Sequence, residues 1–246
     1  MGHCVKQGEG ESDGTARERP AHPTPPALPA RLRRTAGAPA LALLLALVGL
    51  PAHGWDKDRM LAAAQAKGPL ALDGARALQT LIGLLAAQPE ERRLAGMNRF
   101  FNERIRFAED IETTGEVDQW ASPMELLGRG AGDCEDYAIA KYFSLIAAGV
   151  PSLRLRLVYV RAQVRGASTP HMVLAYYPQP TAEPLILDNL RPDIQGASQR
   201  PDLKPVFSFN AEGLWQGTGT QSAGDPSARL SRWREVIGKA RVEGFI

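Results

Sequence analysis

Gly128-Arg129-Gly130-Ala131-Gly132-Asp133-Cys134-Glu135-Asp136-Tyr137 is the stretch on which the reading of this chain turns. Three glycines within five residues make a flexible turn. The residues that follow fall on one helical stripe, Ala138, Tyr142, Leu145 and Ile146, and Gly149-Val150-Pro151 ends it. Cys134 is therefore expected in the first turn of a helix, where unpaired backbone amides and the helix dipole favour a thiolate. A glycine run before a helix also suggests a phosphate loop, but the Lys-Ser/Thr pair that grips a nucleotide is missing from it.

Upstream of this stretch the pattern is helical. Asp73 to Ala87 carries Leu78, Leu81, Ile82 and Leu85 at helical spacing, Pro89 sits where a new helix can start, and Glu90 to Phe107 repeats the period with Leu94, Met97, Phe100, Phe101 and Ile105. Downstream come three strand-like segments, Leu153 to Val164, His171 to Tyr177 and Pro184 to Leu190. Helices followed by strands, with no internal repeat, indicate an α+β domain in which a helical lobe packs on an antiparallel sheet. In a hairpin that sets Val173 opposite Ile186, with its loop centred on Gln179-Pro180, His171 lies directly across from Asp188. Opposed residues hold their Cβ atoms about 4.5 to 5.5 Å apart, within reach of a His–Asp hydrogen bond. A one-residue slip would turn the two onto opposite faces.

The first 54 residues read as a leader: Arg31, Arg33 and Arg34 form a basic n-region, Leu41 to Leu50 an apolar core, and Ala52-His53-Gly54 the small-residue approach to a cut before Trp55. The apolar run is shorter than the roughly 20 residues that span a bilayer, so cleavage is expected rather than anchoring. Residues 1 to 30 make an overlong n-region, expected to carry no fold or to reflect a start assigned too far upstream. Six of the 29 basic and four of the 27 acidic residues lie in this leader, which leaves residues 55 to 246 formally neutral. That balance argues against a nucleic-acid surface.

Beyond the leader the chain has one cysteine, Cys134, and one histidine, His171. The only other cysteine, Cys4, is in the leader, so an intramolecular disulfide in the exported chain is excluded. A nucleophilic thiol with an imidazole base is the leading idea, and Asp188 supplies the group that would orient the imidazole. The proposed chemistry is attack by Cys134 on an amide carbonyl, with the oxyanion held by the Cys134 backbone N–H and a second donor from Gln119 or Trp120. Taken singly, the cysteine reads as a small buried hydrophobe, the histidine as structural and Asp188-Asn189 as a turn. Their order, placement and uniqueness together favour catalysis.

Asp133, Glu135 and Asp136 oppose thiol ionisation by like-charge repulsion. They either cap the helix start or, with loop carbonyls, bind a hard cation such as Ca²⁺. The spacing is not that of an EF-hand, and one Cys with one His cannot build a typical zinc site.

The segments Trp120-Ala121-Ser122-Pro123-Met124-Glu125, Gly128 to Phe143, His171 to Tyr177, Leu187-Asp188-Asn189-Leu190 and Ser208-Phe209-Asn210 together resemble the LapG family of bacterial transglutaminase-like cysteine proteinases. The resemblance implies a papain-like, transglutaminase-like core and a calcium-dependent periplasmic protease. It further implies that the enzyme cuts the N-terminal region of a large biofilm adhesin after paired alanines, and that an inner-membrane, LapD-type cyclic di-GMP receptor sequesters it. Cys134, His171 and Asp188 match the family's triad, and Asp133, Glu135 and Asp136 its acidic calcium segment. A transglutaminase-like amidase or acyltransferase acting on cell-wall peptides, and a noncatalytic binding module, are the competing readings.

Overall fold

The apolar periods of the first half become six helices. The computed structural model describes residues 54–246; the leader's apolar run and Cys4 lie outside them. In order, the chain forms α1 (Lys57–Ala66), α2 (Pro69–Leu85), α3 (Glu90–Arg104), β1 (Arg106–Phe107), α4 (Asp110–Thr113), α5 (Pro123–Arg129), β2 (Ala131–Gly132) and α6 (Cys134–Ala147). The second half supplies β3 (Leu155–Val164), β4 (Ala167–Tyr176), β5 (Leu185–Leu187), β6 (Gln195–Gly196), β7 (Leu203–Phe209), β8 (Leu214–Gln216) and β9 (Ser222–Gly224), then α7 (Pro226–Arg229) and α8 (Ser231–Val242). The last seven strands form one antiparallel sheet in the order β6-β5-β4-β3-β7-β8-β9. No helix among the described residues is long and apolar enough to cross a membrane.

Helix α6 runs through the middle of the domain and is buried from Asp136 to Leu145. It packs against α3 on one side and β4 on the other. Alternation along the strands divides the sheet. Leu155, Leu157, Met172, Leu174, Leu187 and Phe209 join the α6 core, while Val158, Val160, Val173, Ala175, Tyr177 and Ile186 form a second cluster with Leu203. Trp233 of α8 stacks on Phe143 at 5.6 Å and donates its indole N–H to the Asn210 carbonyl at 3.1 Å, so the C-terminal helix closes the main core. Just past α8, the buried Glu243 accepts from the Ser122 hydroxyl at 2.5 Å and the Met124 N–H at 3.2 Å, which ties the chain's end to the start of α5.

Two expectations change. The helix begun at Glu90 stops at Arg104, because Ile105 turns extended and Arg106-Phe107 pairs in parallel with Ala131-Gly132. The β4–β5 hairpin has a different register: Ala175, not Val173, faces Ile186, and Leu174 faces Leu187. His171 and Asp188 are therefore not directly opposed. Continued by one residue, this register sets Asp188 against Val173, and His171 is the next residue on that same face. An even shift preserves the face, so the two side chains still meet.

The turn before α6 has no room to spare. Gly130, with φ of 66°, gives α5 its left-handed C-cap. A Cβ at Gly132 would lie 2.5 Å from Asp136 Oδ2 and 2.6 Å from Leu126 Cδ1. We expect Gly132→Ala to destabilise the fold by about 1–3 kcal/mol through overpacking, measured as a lowered midpoint in urea, with Gly83→Ala, whose surroundings are open, as the tolerated control.

Candidate active site

Each side of the site follows from one local device. The β2 turn ends at Asp133, the N-cap of α6, so Cys134 is the first residue of that helix and is partly buried. It is the one free thiol among the described residues. The sulfur lies beside the backbone N–H of Met172, the neighbour of His171 on β4. His171 and Asp188 are both buried, and His171 Nε2 is 2.8 Å from Asp188 Oδ1. The bond engages Nε2, which leaves Nδ1 as the ring nitrogen available to a thiol.

Asp188 is an unusual carboxylate for its setting. Its burial would raise its pKa, yet the bonds from His171, the Leu190 N–H and Arg200 outweigh that and hold it at about 2. An ionised Asp188 can only accept, so Nε2 carries the proton and Nδ1 is the basic nitrogen. Asn102 of α3 fixes the same residue's backbone, donating from Nδ2 to the Asp188 carbonyl at 2.8 Å.

The acidic side behaves in the opposite way. Cys134 Sγ donates to Glu135 Oε2 at 3.0 Å, and burial, then the charges of Glu135 and Asp133, push the thiol well above its ordinary range. Burial and the neighbouring Glu135, Asp136 and Asp110 likewise raise Asp133. Asp110, Asp133 and Glu135 each present an oxygen within 4.8 Å of the others. Asp110 Oδ1 and Asp133 Oδ1 are buried without a hydrogen-bond partner. Three converging hard donors, two of them left unsatisfied, suit a divalent cation. Asp136 lies outside this cluster. Its Oδ1 accepts from the Ala121 N–H at 2.7 Å, its Oδ2 is buried without a partner, and burial raises it to about 7.

Of the two candidate oxyanion donors, Trp120 has its indole N–H bonded to Asp118 at 3.1 Å. Gln119 has its Oε1 held by Arg129 Nη2 at 2.7 Å, which orients the amide, while its Nε2 makes no hydrogen bond to the described residues. Sequence reasoning missed Asp110 and Arg200. Asp110 lies 23 residues before Asp133 with only a short acidic run, Glu109-Asp110, to mark it. Arg200 carries no local signal at all.

With this geometry in view, similarity to known proteins becomes informative. Residues 75–201 match the family model described as bacterial transglutaminase-like cysteine proteinase. The chain belongs to that family.

Legionella pneumophila LapG is 40% identical, with a TM-score of 0.65 over 76% of this chain and 98% of that one. An EGTA-treated form of it gives 41% and 0.67 over 76% and 98%, and a calcium-bound form 40% and 0.66 over 75% and 98%. A comparison with curated proteins found no match. The mixed fold of helices and antiparallel sheet is thus the LapG-like, transglutaminase-like one, and the chain is a cysteine protease.

Because Asp188 sits far below its ordinary pKa near 4, its ionisation stabilises the fold fully above that value, and the contribution disappears as pH falls through about 2. Asp188→Asn is expected to melt well below wild type at pH 6 and to converge on it near pH 2, as read by thermal unfolding across that range.

Proposed function

We propose that this protein is a calcium-dependent periplasmic endopeptidase that uses Cys134, His171 and Asp188 to cut the N-terminal region of a large surface adhesin, releasing it and dispersing biofilm. The observation that carries the reading is the buried His171–Asp188 bond beside the strand that flanks Cys134, the one thiol among the described residues, at a helix start. The leader of residues 1–54 exports the chain. The substrate is cut after paired alanines, and an inner-membrane cyclic di-GMP receptor of the LapD type holds the protease away from it. Family membership and the likeness to LapG support the protease assignment, and the substrate and the receptor are what the family resemblance implies.

In the reaction, His171 Nδ1 takes the Cys134 proton and the sulfur attacks the scissile carbonyl carbon. The Cys134 backbone N–H and Gln119 Nε2 stabilise the oxyanion. The leaving amine takes its proton from the imidazolium, and water then hydrolyses the thioester with His171 again as base. Asp188 keeps the ring oriented and stabilises its charged form.

Asp110, Asp133 and Glu135 are the residues that would hold Ca²⁺, as their unsatisfied oxygens and hard donor set fit it. A bound calcium supplies positive charge against the carboxylates that otherwise keep the thiol protonated. Asp136, the third acid of the segment that the resemblance implies for calcium, anchors the Ala121 backbone through Oδ1 and with it the segment bearing Gln119, and its Oδ2 is buried without a partner. The calcium-bound and EGTA-treated forms of the Legionella protein support calcium as the metal.

The test is cleavage of an adhesin N-terminal fragment containing paired alanines by the purified protein, with calcium or with excess chelator. Cleavage should require calcium and vanish in Cys134→Ala, with the far-ultraviolet spectrum unchanged. Residual turnover by that variant, or full activity in chelator, would contradict the proposal. Asp110→Asn should raise the calcium concentration for half-maximal activity by about tenfold or more, while Asp118→Asn, an exposed acid on the same connection, should leave it in place.

A further inference from the structure

We propose that Arg200 is a positioning residue for this protease, holding the Asp188 carboxylate in the orientation that presents Oδ1 to His171. The inference rests on the reading of Cys134, His171 and Asp188 as the triad. Arg200 Nη2 donates to Asp188 Oδ2 at 2.7 Å, and the two side chains are 1% and 0% exposed. Oδ1 is occupied by His171 Nε2 at 2.8 Å and the Leu190 N–H at 3.0 Å. Arg200 is therefore the one side chain that bonds Oδ2 among the described residues.

The guanidinium is itself anchored. Its Nε donates to Asp202 Oδ1 at 3.0 Å and Nη2 donates to Oδ2 at 2.9 Å, while the Asp202 carbonyl accepts from the Gln163 N–H of β3 at 2.9 Å. The backbone of Arg200 closes the 3₁₀ turn Ala197–Gln199 and accepts from the Leu203 N–H, where β7 begins. A planar fork thus links the catalytic hairpin to the neighbouring β3–β7 pair.

Charge balance gives the link its use. Asp188 and Asp202 share one arginine, so the group carries one net negative charge that a protonated His171 neutralises during turnover. Lys141 of α6, which burial lowers to about 7, also interacts with Asp188, and Arg191 with Asp202. Without Arg200, Oδ2 would be left buried with no donor, and the carboxylate would take a proton or rotate away from the ring. Lysine could replace the charge but could not bridge both carboxylates with one planar group.

The experiment is the rate of Cys134 alkylation by iodoacetamide at pH 7 in calcium, mapped by peptide mass. The proteins compared are wild type, Arg200→Gln, Asp188→Asn, the double variant and His171→Ala. Arg200→Gln should slow alkylation about tenfold in the wild-type background but less than about twofold beside Asp188→Asn, because its effect passes through Asp188. Arg200→Lys should recover part of the loss, and if Arg200→Gln does not fold, the Lys pair completes the cycle. Equal losses in both backgrounds, or no loss in either, would overturn the inference. An alkylation rate untouched by His171→Ala would instead overturn the triad reading.

Discussion

A carboxylate that stays ionised while buried is the constraint on which this site depends. Burial raises the pKa of Asp188, and three donors, His171 Nε2, the Leu190 N–H and Arg200, converge on its two oxygens and outweigh that effect. Its charge fixes the tautomer of His171, and the tautomer decides which ring nitrogen can act as a base. On the other side, Asp133 and Glu135 flank Cys134, and burial and their charges push the thiol above its ordinary range. Carboxylates of one chemical type thus act in opposite senses within one site: in the proposed mechanism one orients the base and the others restrain the nucleophile.

The fold exists, in functional terms, to bring these two settings together. Gly132 allows β2 to turn tightly against Asp136 and Leu126, which places Cys134 at the start of α6. The buried length of α6 then lies on β4, so the helix start and the residue pair His171-Met172 are neighbours without any long loop between them. The capped start of α5, tied to Glu243 at the other end of the chain, and the Asp136 bond to Ala121 hold the intervening segment against the same helix.

Much of this could be read from residues in order. Helical periodicity located α2, α3 and α6, and the glycine turn before Cys134 marked where α6 begins. Alternation located β3, β4 and β5 and put His171 on the right strand, but hairpin register was out of reach because the connection from Pro178 to Pro184 has no tight-turn signature to set it. β7 was hidden by Pro205, which sits at a bulge where the register with β3 shifts. Short β8 and β9 lack any apolar alternation long enough to detect. Asp110 and Arg200 were illegible for a different reason: each gains its role from partners far along the chain, and nothing in the neighbouring residues records that meeting.

In the proposed mechanism, acids around Cys134 restrain the thiol, and a bound calcium would offset their charge. The rate of Cys134 alkylation at neutral pH, compared in calcium and in chelator for wild type and Glu135→Gln, tests it most directly. A much faster reaction in calcium is expected for wild type, and a smaller calcium effect in Glu135→Gln, whose thiol already lacks its charged neighbour. A wild-type rate that is the same with calcium and with chelator would contradict it.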